Sequence, residues 1–181
     1  MFADAIERVG EYTRPLIYIF RNYGETVVTP GSATMFFVNE EGCAVTCRHV
    51  AETILASHNV NNKYAQFKKA KAQLVNEKNR MQMLKKLELE YGYKKGVTVN
   101  MKCNFKGCVF PVKEITCHIH KHYDLAIVRF KGFEKRMYND YAIFADNADT
   151  LRPGQSLCRV GFPFPEFTNS IYNGITDDIE W

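Results

Sequence analysis

The chain has 181 residues, of which 46% are hydrophobic, and this is enough to bury the core of one domain or of one domain and part of another. It contains no run of eighteen apolar residues, and its N-terminus lacks the charged-then-apolar layout of a secretory signal. These features argue against a membrane span and against export, and they favour a cytoplasmic protein. The net charge of +4 is uneven, because residues 63–95 carry ten Lys or Arg against three Glu, which leaves about −3 for the rest.

Six cysteines are spread along the chain. In a secreted protein they would indicate disulfides, but without an export signal they predict free thiols. They are Cys43, Cys47, Cys103, Cys108, Cys117 and Cys158.

Residues 1–14 are predicted to form an N-terminal helix or arm. Apolar side chains recur there at helical spacing, and Gly10 is a helix stop. From Pro15 the pattern changes to short β-branched and aromatic runs, which indicate strands. Those strands are predicted at 16–20, 26–29, 33–38 and 43–46, with Pro30-Gly31 as a break and residues 39–42 as a hairpin turn.

The segment from Asn61 to Tyr91 differs from its surroundings. Its apolar residues recur three, four or seven positions apart, with lysines between them and no Pro or Gly inside, which predicts one long amphipathic helix closed by Gly92 and Gly96. The apolar positions are Tyr64, Phe67, Ala70, Leu74, Met81, Leu84, Leu87 and Tyr91.

Strand character returns after this helix. Short strands at close spacing predict a mainly β fold, either a barrel or a sandwich. Residues 131–150 are polar and mixed, and they are predicted to be a linker. The predicted strands lie at 97–103, 108–112, 115–120, 124–130 and 156–161, and one more begins at Ile171.

Two titratable side chains stand at the ends of predicted strands. His49 follows the strand 43–46 within a Thr-x-x-His turn, and Asp124 follows His122-Tyr123 and opens another apolar strand. A histidine that acts as a general base needs a carboxylate to orient its ring. Their positions make His49 and Asp124 candidates for such a pair, but a histidine or aspartate at a strand end is common, so the pair is informative only through the segments around it.

Three segments carry a family resemblance that covers most of the chain. Residues 31–50 resemble the Gly-rich strand, hairpin and Thr-x-x-His turn of the trypsin-like (chymotrypsin-fold) serine peptidases. Residues 116–128 are similar to the strand of that family that ends in Asp-Leu-Ala. Residues 151–163 are similar to the entry into its second barrel, a Gly and a Gly-x-Pro separated by six residues.

The resemblance implies a trypsin-like first β-barrel over 15–130 that carries a helical insertion at 61–95. It further implies a linker at 131–150 and an incomplete start of a second β-barrel at 151–181. The catalytic residues would be His49 as general base and Asp124 as its orienting carboxylate. The implied activity is that of a serine endopeptidase, with a peptide or protein substrate and with neither metal nor cofactor.

One part of the family pattern is missing. The nucleophile of the family lies in a Gly-x-Ser-Gly-Gly turn, which also supplies the oxyanion hole, and this chain contains no such turn. Its serines are Ser32, Ser57, Ser156 and Ser170. We expect the chain alone to be inactive, with the serine supplied by a missing segment or a separate chain, unless the protein is a remnant without catalysis.

Other sets of residues suggest metal or partner binding. His118, His120 and His122, with Cys117 nearby, could bind zinc, as could Cys43 with Cys47 and Cys103 with Cys108, although we favour no metal at either set.

The basic segment 63–95 is expected to dock its apolar stripe on the barrel or on a partner. The alternative function is an inactive protease-like binding module whose basic helix contacts nucleic acid or an acidic protein, and a third possibility is a coiled-coil hairpin that joins subunits. The basic side chains of that segment include Lys63, Lys68, Lys69, Lys71, Lys78, Arg80, Lys85 and Lys86.

Overall fold

The computed structural model of the chain describes residues 2–74, 78–145, 152–154, 156–164 and 169–181, without the side chain of Phe2. The chain divides into two compact units, each built from three segments. The first unit consists of Met1–Ile17, Ser32–Glu52 and Asn104–Phe164, and the second unit consists of Tyr18–Gly31, Thr53–Cys103 and Pro165–Trp181. The predicted barrel at 15–130 is therefore distributed over both units.

The described residues form a mainly β fold with three helices. The elements are α1 Phe2–Gly10, β1 Thr13–Asn22, β2 Val28–Phe37, β3 Cys43–Thr46, α2 Arg48–Gln73, α3 Arg80–Tyr91, β4 Thr98–Asn104, β5 Val109–Phe110, β6 Glu114–Ile119, β7 Ala126–Lys131, β8 Lys135–Arg136, β9 Ile171–Asn173 and β10 Asp178–Glu180. The largest sheet has six strands in the order β4-β1-β2-β3-β7-β6, and two further sheets pair β5 with β8 and β9 with β10. None of the helices in the described ranges is both long and apolar enough to cross a membrane.

The core of the first unit lies on one face of the strands β3 and β7. Along β7, buried Ala126, Val128 and Phe130 alternate with exposed residues, as a half-buried strand requires. β3 pairs antiparallel with β7, and the last pair joins Thr46 to Ala126. This register brings the residues that follow β3 beside the residues that precede β7.

The predicted linker contains a core residue of the first unit. Tyr138 is 1% exposed, and its ring stacks on Phe37 with the ring centroids 3.6 Å apart. The Tyr138 hydroxyl donates to the carbonyl of Asn39 at 2.8 Å and accepts from the N–H of Gly42 at 3.2 Å. Tyr138 thus fixes this part of the predicted linker to the predicted hairpin turn, and residues 146–150 lie outside the described ranges.

Gly42 ends this hairpin turn in a conformation that favours glycine. Its φ is +81°, and a Cβ placed there would lie 2.9 Å from the carbonyl oxygen of Phe130 and 2.8 Å from the Phe133 ring. We expect Gly42→Ala to lower the free energy of unfolding by about 2 kcal/mol, because the left-handed backbone and the backbone contact both oppose the methyl group. Gly24→Ala is the control, since Gly24 has φ +73° but open space around it, and it should cost only about 1 kcal/mol. Urea unfolding of both variants measures the difference, and equal losses would contradict the steric argument.

The predicted single helix over 61–91 is wrong, since α2 ends at Gln73 and α3 begins at Arg80. Tyr64 and Phe67 of α2 and Leu84 and Leu87 of α3 pack into one cluster in the second unit. In a straight helix Tyr64 and Leu87 would lie about 35 Å apart, so the chain must reverse between them. Gly92 ends α3 in the left-handed conformation with φ 70°, as its predicted role as a helix stop requires.

Two further predictions about strands are also wrong. The strands predicted at 26–29 and 33–38 form one strand, β2, which runs through Pro30 and Gly31. Gly31 is needed because a Cβ there would overlap the ring of Tyr18. The predicted strand at 156–161 is not formed. This segment is tied by side chains instead, since Ser32 donates to the Phe162 carbonyl at 3.0 Å and the Phe162 N–H donates to the Thr34 hydroxyl at 2.8 Å.

The predicted last strand is a two-stranded hairpin in the second unit. β9 pairs antiparallel with β10, with Tyr172 opposite Ile179. The segment 151–181, predicted as the start of one barrel, is thus divided between the two units. A strand forms only where a neighbouring strand completes its backbone hydrogen bonds. An apolar run in the sequence does not show whether such a neighbour exists, which is why the strand predicted at 156–161 is not formed.

Candidate active site

The candidate site lies where β3 ends and β7 begins. Thr46 closes β3, α2 begins at Arg48, and Asp124 stands two residues before the first residue of β7. The buried Thr46 hydroxyl donates to the carbonyl of Thr34 at 2.9 Å, which fixes the end of β3 to the neighbouring strand. The Thr-x-x-His turn therefore projects His49 from the first turn of α2 toward Asp124.

His49 and Asp124 form the predicted pair. Nδ1 of His49 lies 3.0 Å from Oδ1 and 2.9 Å from Oδ2 of Asp124. The backbone N–H of His49 also donates to Oδ1 of Asp124 at 3.1 Å, so the carboxylate satisfies one of the unpaired amides at the start of α2. An ionised Asp124 requires the proton on Nδ1, and the basic lone pair of the neutral ring is then on Nε2. This is the tautomer that a general base needs.

The pKa of Asp124 is lowered from its ordinary value of 3.8. The largest cause is the hydrogen bond from the backbone N–H of His49, followed by the bond from its side chain. Because the folded-state pKa is depressed, the stabilising interaction is present above the ordinary pKa and is lost as the pH falls through the lowered one. The carboxylate stays ionised throughout the neutral range, where catalysis would occur.

The two causes of this shift can be separated by substitution. We expect the carboxyl carbon of Asp124, followed by NMR, to titrate below its ordinary value in the wild-type chain. In His49→Ala the pKa should move only part of the way back, because the backbone N–H of residue 49 is retained and still donates. A full return to the ordinary value would contradict the dominant role of the backbone. Glu52→Gln, which changes an exposed carboxylate on the same helix, should leave the pKa of Asp124 unchanged.

The loop before Asp124 is held by a histidine. Nδ1 of His120 accepts from the backbone N–H groups of His122 and Tyr123 at 3.1 and 3.0 Å. The N–H of His120 in turn donates to the carbonyl of Leu125 at 2.8 Å. His120 therefore shapes the turn that presents Asp124.

Neither metal set considered from the sequence forms a group of three close ligands among the described residues. β6 ends at Ile119, so His120 and His122 lie beyond the strand on which the three histidines were expected to alternate. Within the described ranges, the group of possible metal ligands is a different one and consists of Cys47, His49 and Asp124. None of the six cysteines is in a disulfide.

Cys47 also belongs to this site, whereas sequence reasoning considered it only together with Cys43. Its sulfur, a ring nitrogen of His49 and a carboxylate oxygen of Asp124 all lie within 4.8 Å of one another. Partial burial raises the pKa of the Cys47 thiol, as do the charge of Asp124 and a hydrogen bond to it, while Arg159 opposes the shift. The only sequence signal was its place two residues before His49 in the Thr-x-x-His turn.

Comparison of the chain with protein-family models finds no match, and comparison with curated proteins finds none either. The similarity to trypsin-like peptidases therefore depends on the three sequence motifs and on the geometry of His49 and Asp124, and the assignment stays a proposal.

Proposed function

We propose that this chain supplies the histidine and aspartate of a Ser-His-Asp triad in a trypsin-like serine endopeptidase. One observation carries the proposal, namely the contact of His49 Nδ1 with both carboxylate oxygens of Asp124 at 2.9 and 3.0 Å. The two residues are 75 positions apart in the chain, so only the fold brings them together. In this proposal the six-stranded sheet takes the place of the first barrel of the family.

The chemistry of the proposal follows from the tautomer of His49. Nε2 of His49 accepts the proton of a serine hydroxyl as that oxygen attacks the peptide carbonyl, and it then gives the proton to the leaving amine. Asp124 stabilises the imidazolium that exists between these steps. Water then hydrolyses the acyl-enzyme with His49 again acting as base.

In this proposal the serine and the oxyanion donors come from an additional segment or from a separate chain, and not from the 181 residues. The sequence has no Gly-x-Ser-Gly-Gly turn. The hydroxyls of Ser32 and Ser57 donate to the carbonyls of Phe162 and Ile54, at 3.0 and 2.7 Å. The additional segment, or a separate chain, completes the second barrel, and the 181 residues alone are expected not to hydrolyse peptides.

Activity-based labelling tests the proposal. The full-length product of the gene that encodes this chain is incubated with a fluorophosphonate probe, which reacts with an activated serine. We expect labelling that His49→Ala abolishes, while Glu52→Gln keeps it. Absence of labelling in the wild-type protein, or equal labelling in His49→Ala, would refute the assignment.

A second candidate function is supported by the charges on α2, on α3 and on the residues that flank α3. Eight of the ten basic side chains between residues 63 and 95 are exposed, and none of them forms an ion pair with another described residue. Exposed basic side chains without ion pairs, clustered in one segment, are typical of a surface that contacts phosphates. In this alternative the protein is an inactive protease-like module that binds nucleic acid. The exposed residues are Lys63, Lys69, Lys78, Arg80, Lys85, Lys86, Lys94 and Lys95.

Salt dependence separates this alternative from the first proposal. Binding of single- and double-stranded RNA and DNA oligonucleotides is measured by fluorescence anisotropy at several salt concentrations. Phosphate contacts predict that the logarithm of the affinity falls linearly with that of salt, with a slope reduced in Lys69→Gln/Lys85→Gln/Lys86→Gln. Lys113→Gln/Lys131→Gln is the control from the first unit. Absent or salt-independent binding would remove the alternative.

A further inference from the structure

We propose that Cys47, His49 and Asp124 bind a zinc ion. The three side chains offer a sulfur, a nitrogen and an oxygen that lie within 4.8 Å of one another at the junction of β3, α2 and β7. Ligands of tetrahedral zinc are about 3.5 Å apart, so modest side-chain rotations close the group around the ion. The proposed peptidase mechanism does not use Cys47.

The donor set suits zinc in type, number and charge. Cysteine sulfur, imidazole nitrogen and carboxylate oxygen are its usual ligands, and three protein ligands leave the fourth position for water or for a group of the substrate. A thiolate, a carboxylate and a neutral imidazole balance the two charges of the ion. Neutrality matters because the start of α2 and the guanidinium of Arg159 both disfavour excess positive charge near Cys47. The side chains of His49 and Asp124 are 68% and 57% exposed, so the ion reaches them directly from solvent.

Zinc binding changes the protonation of the site. The thiol of Cys47 loses its proton to solvent as the sulfur–zinc bond forms. Nδ1 of His49, which faces Asp124 at 2.9 Å, gives up its proton and binds the ion, and the neutral ring then carries its proton on Nε2. An imidazole in this state has no lone pair with which to accept a proton from serine. If the proposed peptidase function is correct, zinc is therefore an inhibitor of it, whereas the binding itself does not depend on that function.

Cobalt substitution tests the site in the isolated chain. Co²⁺ bound to a thiolate gives a sulfur-to-cobalt charge-transfer absorption in the near ultraviolet. We expect this band to saturate at one equivalent of Co²⁺ and to disappear when Zn²⁺ is added. Cys47→Ser should abolish the band. Cys158→Ser removes another exposed thiol of the first unit and should keep it.

A second measurement follows His49 directly. Long-range ¹H–¹⁵N spectra of the imidazole rings should show the His49 proton on Nδ1 without metal and on Nε2 with one equivalent of Zn²⁺. Cys47→Ala serves as a second variant that removes the thiol, beside Cys47→Ser. Circular dichroism confirms that each variant is folded. A band that persists in Cys47→Ser, a proton that stays on Nδ1, or no band in the wild-type chain would overturn the proposal. Because the isolated chain needs no peptidase activity for these measurements, their failure and the failure of the proposed function are distinguishable.

Discussion

If the proposed peptidase function is correct, replacing Asp124 with asparagine is expected to lower kcat/KM for peptide hydrolysis by about 10⁴-fold. The asparagine amide has a similar shape, so the local fold is kept. It carries no charge, however, so it neither holds the proton on Nδ1 of His49 nor stabilises the imidazolium. Steady-state hydrolysis of a peptide amide substrate measures the effect, and it should appear in kcat because the interaction strengthens in the transition state.

The control for this prediction is Glu52, an exposed acid on the same helix as His49. Glu52 lies three residues after His49 and forms an exposed ion pair with Arg48, with Arg48 Nε 2.8 Å from Glu52 Oε1. Such surface pairs contribute at most about 1 kcal/mol to stability, and Glu52 does not contact the imidazole in the proposed mechanism. Glu52→Gln should therefore change kcat/KM by less than about threefold. If Asp124→Asn retained the wild-type rate, His49 and Asp124 would not be a catalytic pair.

The His49–Asp124 contact was predictable because the sequence signals that mark each residue are local. Each residue stands at the end of a strand whose alternation is readable in the sequence, and a Thr-x-x-His turn and an Asp-Leu-Ala segment mark where each strand ends or begins. The register that joins Thr46 to Ala126 then places both ends together. Cys47 was not predictable as a member of the site, because a single exposed cysteine has neither a period nor a spacing that distinguishes it.

The errors in the fold prediction share one physical cause. Periodicity identifies which face of an element is apolar, but it does not identify what that face packs against. The stripe from Tyr64 to Leu87 is continuous in sequence, yet its two halves cover the same cluster, so the helix is divided. In residues 156–161 an apolar run lacks a neighbouring strand, and contacts of Ser32 and Thr34 with Phe162 take the place of a ladder.

Sequence patterns also failed to indicate the buried Arg21 of the second unit. This side chain is 3% exposed, and its Nη2 lies 2.8 Å from Oδ1 of Asp177 in the turn between β9 and β10. Nε donates to Asn100 at 2.9 Å, and the guanidinium lies 4.3 Å from the ring centroid of Tyr172. The Tyr64 hydroxyl donates to Oδ2 of Asp177 at 2.6 Å. These bonds join β1, α2, β4 and the C-terminal hairpin through one ion pair.

Arg21→Met should lower the free energy of unfolding by about 3 kcal/mol, because it removes the cation that contacts the half-buried carboxylate of Asp177. Burial alone would raise the pKa of Asp177, but bonds from Tyr64 and Tyr172 and the charges of Arg21 and Lys68 outweigh it and lower the pKa. The stability from Asp177 is thus present above its ordinary pKa and lost as the pH falls through the lowered one. Without Arg21 that loss begins at a higher pH, so acid unfolding should also shift upward.

The fluorescence of Trp181, the single tryptophan and a residue of the second unit, measures both effects in urea and in acid titrations. Lys102→Met is the matched control, because it breaks the more exposed pair of Lys102 with Asp178 in the same unit, where Nζ and Oδ2 are 3.1 Å apart. It should cost no more than about 1 kcal/mol. Equal losses in the two variants would mean that the burial of Arg21 adds nothing. A large loss without an upward shift in acid unfolding would assign the effect to lost packing on Tyr172 rather than to the charge of Asp177.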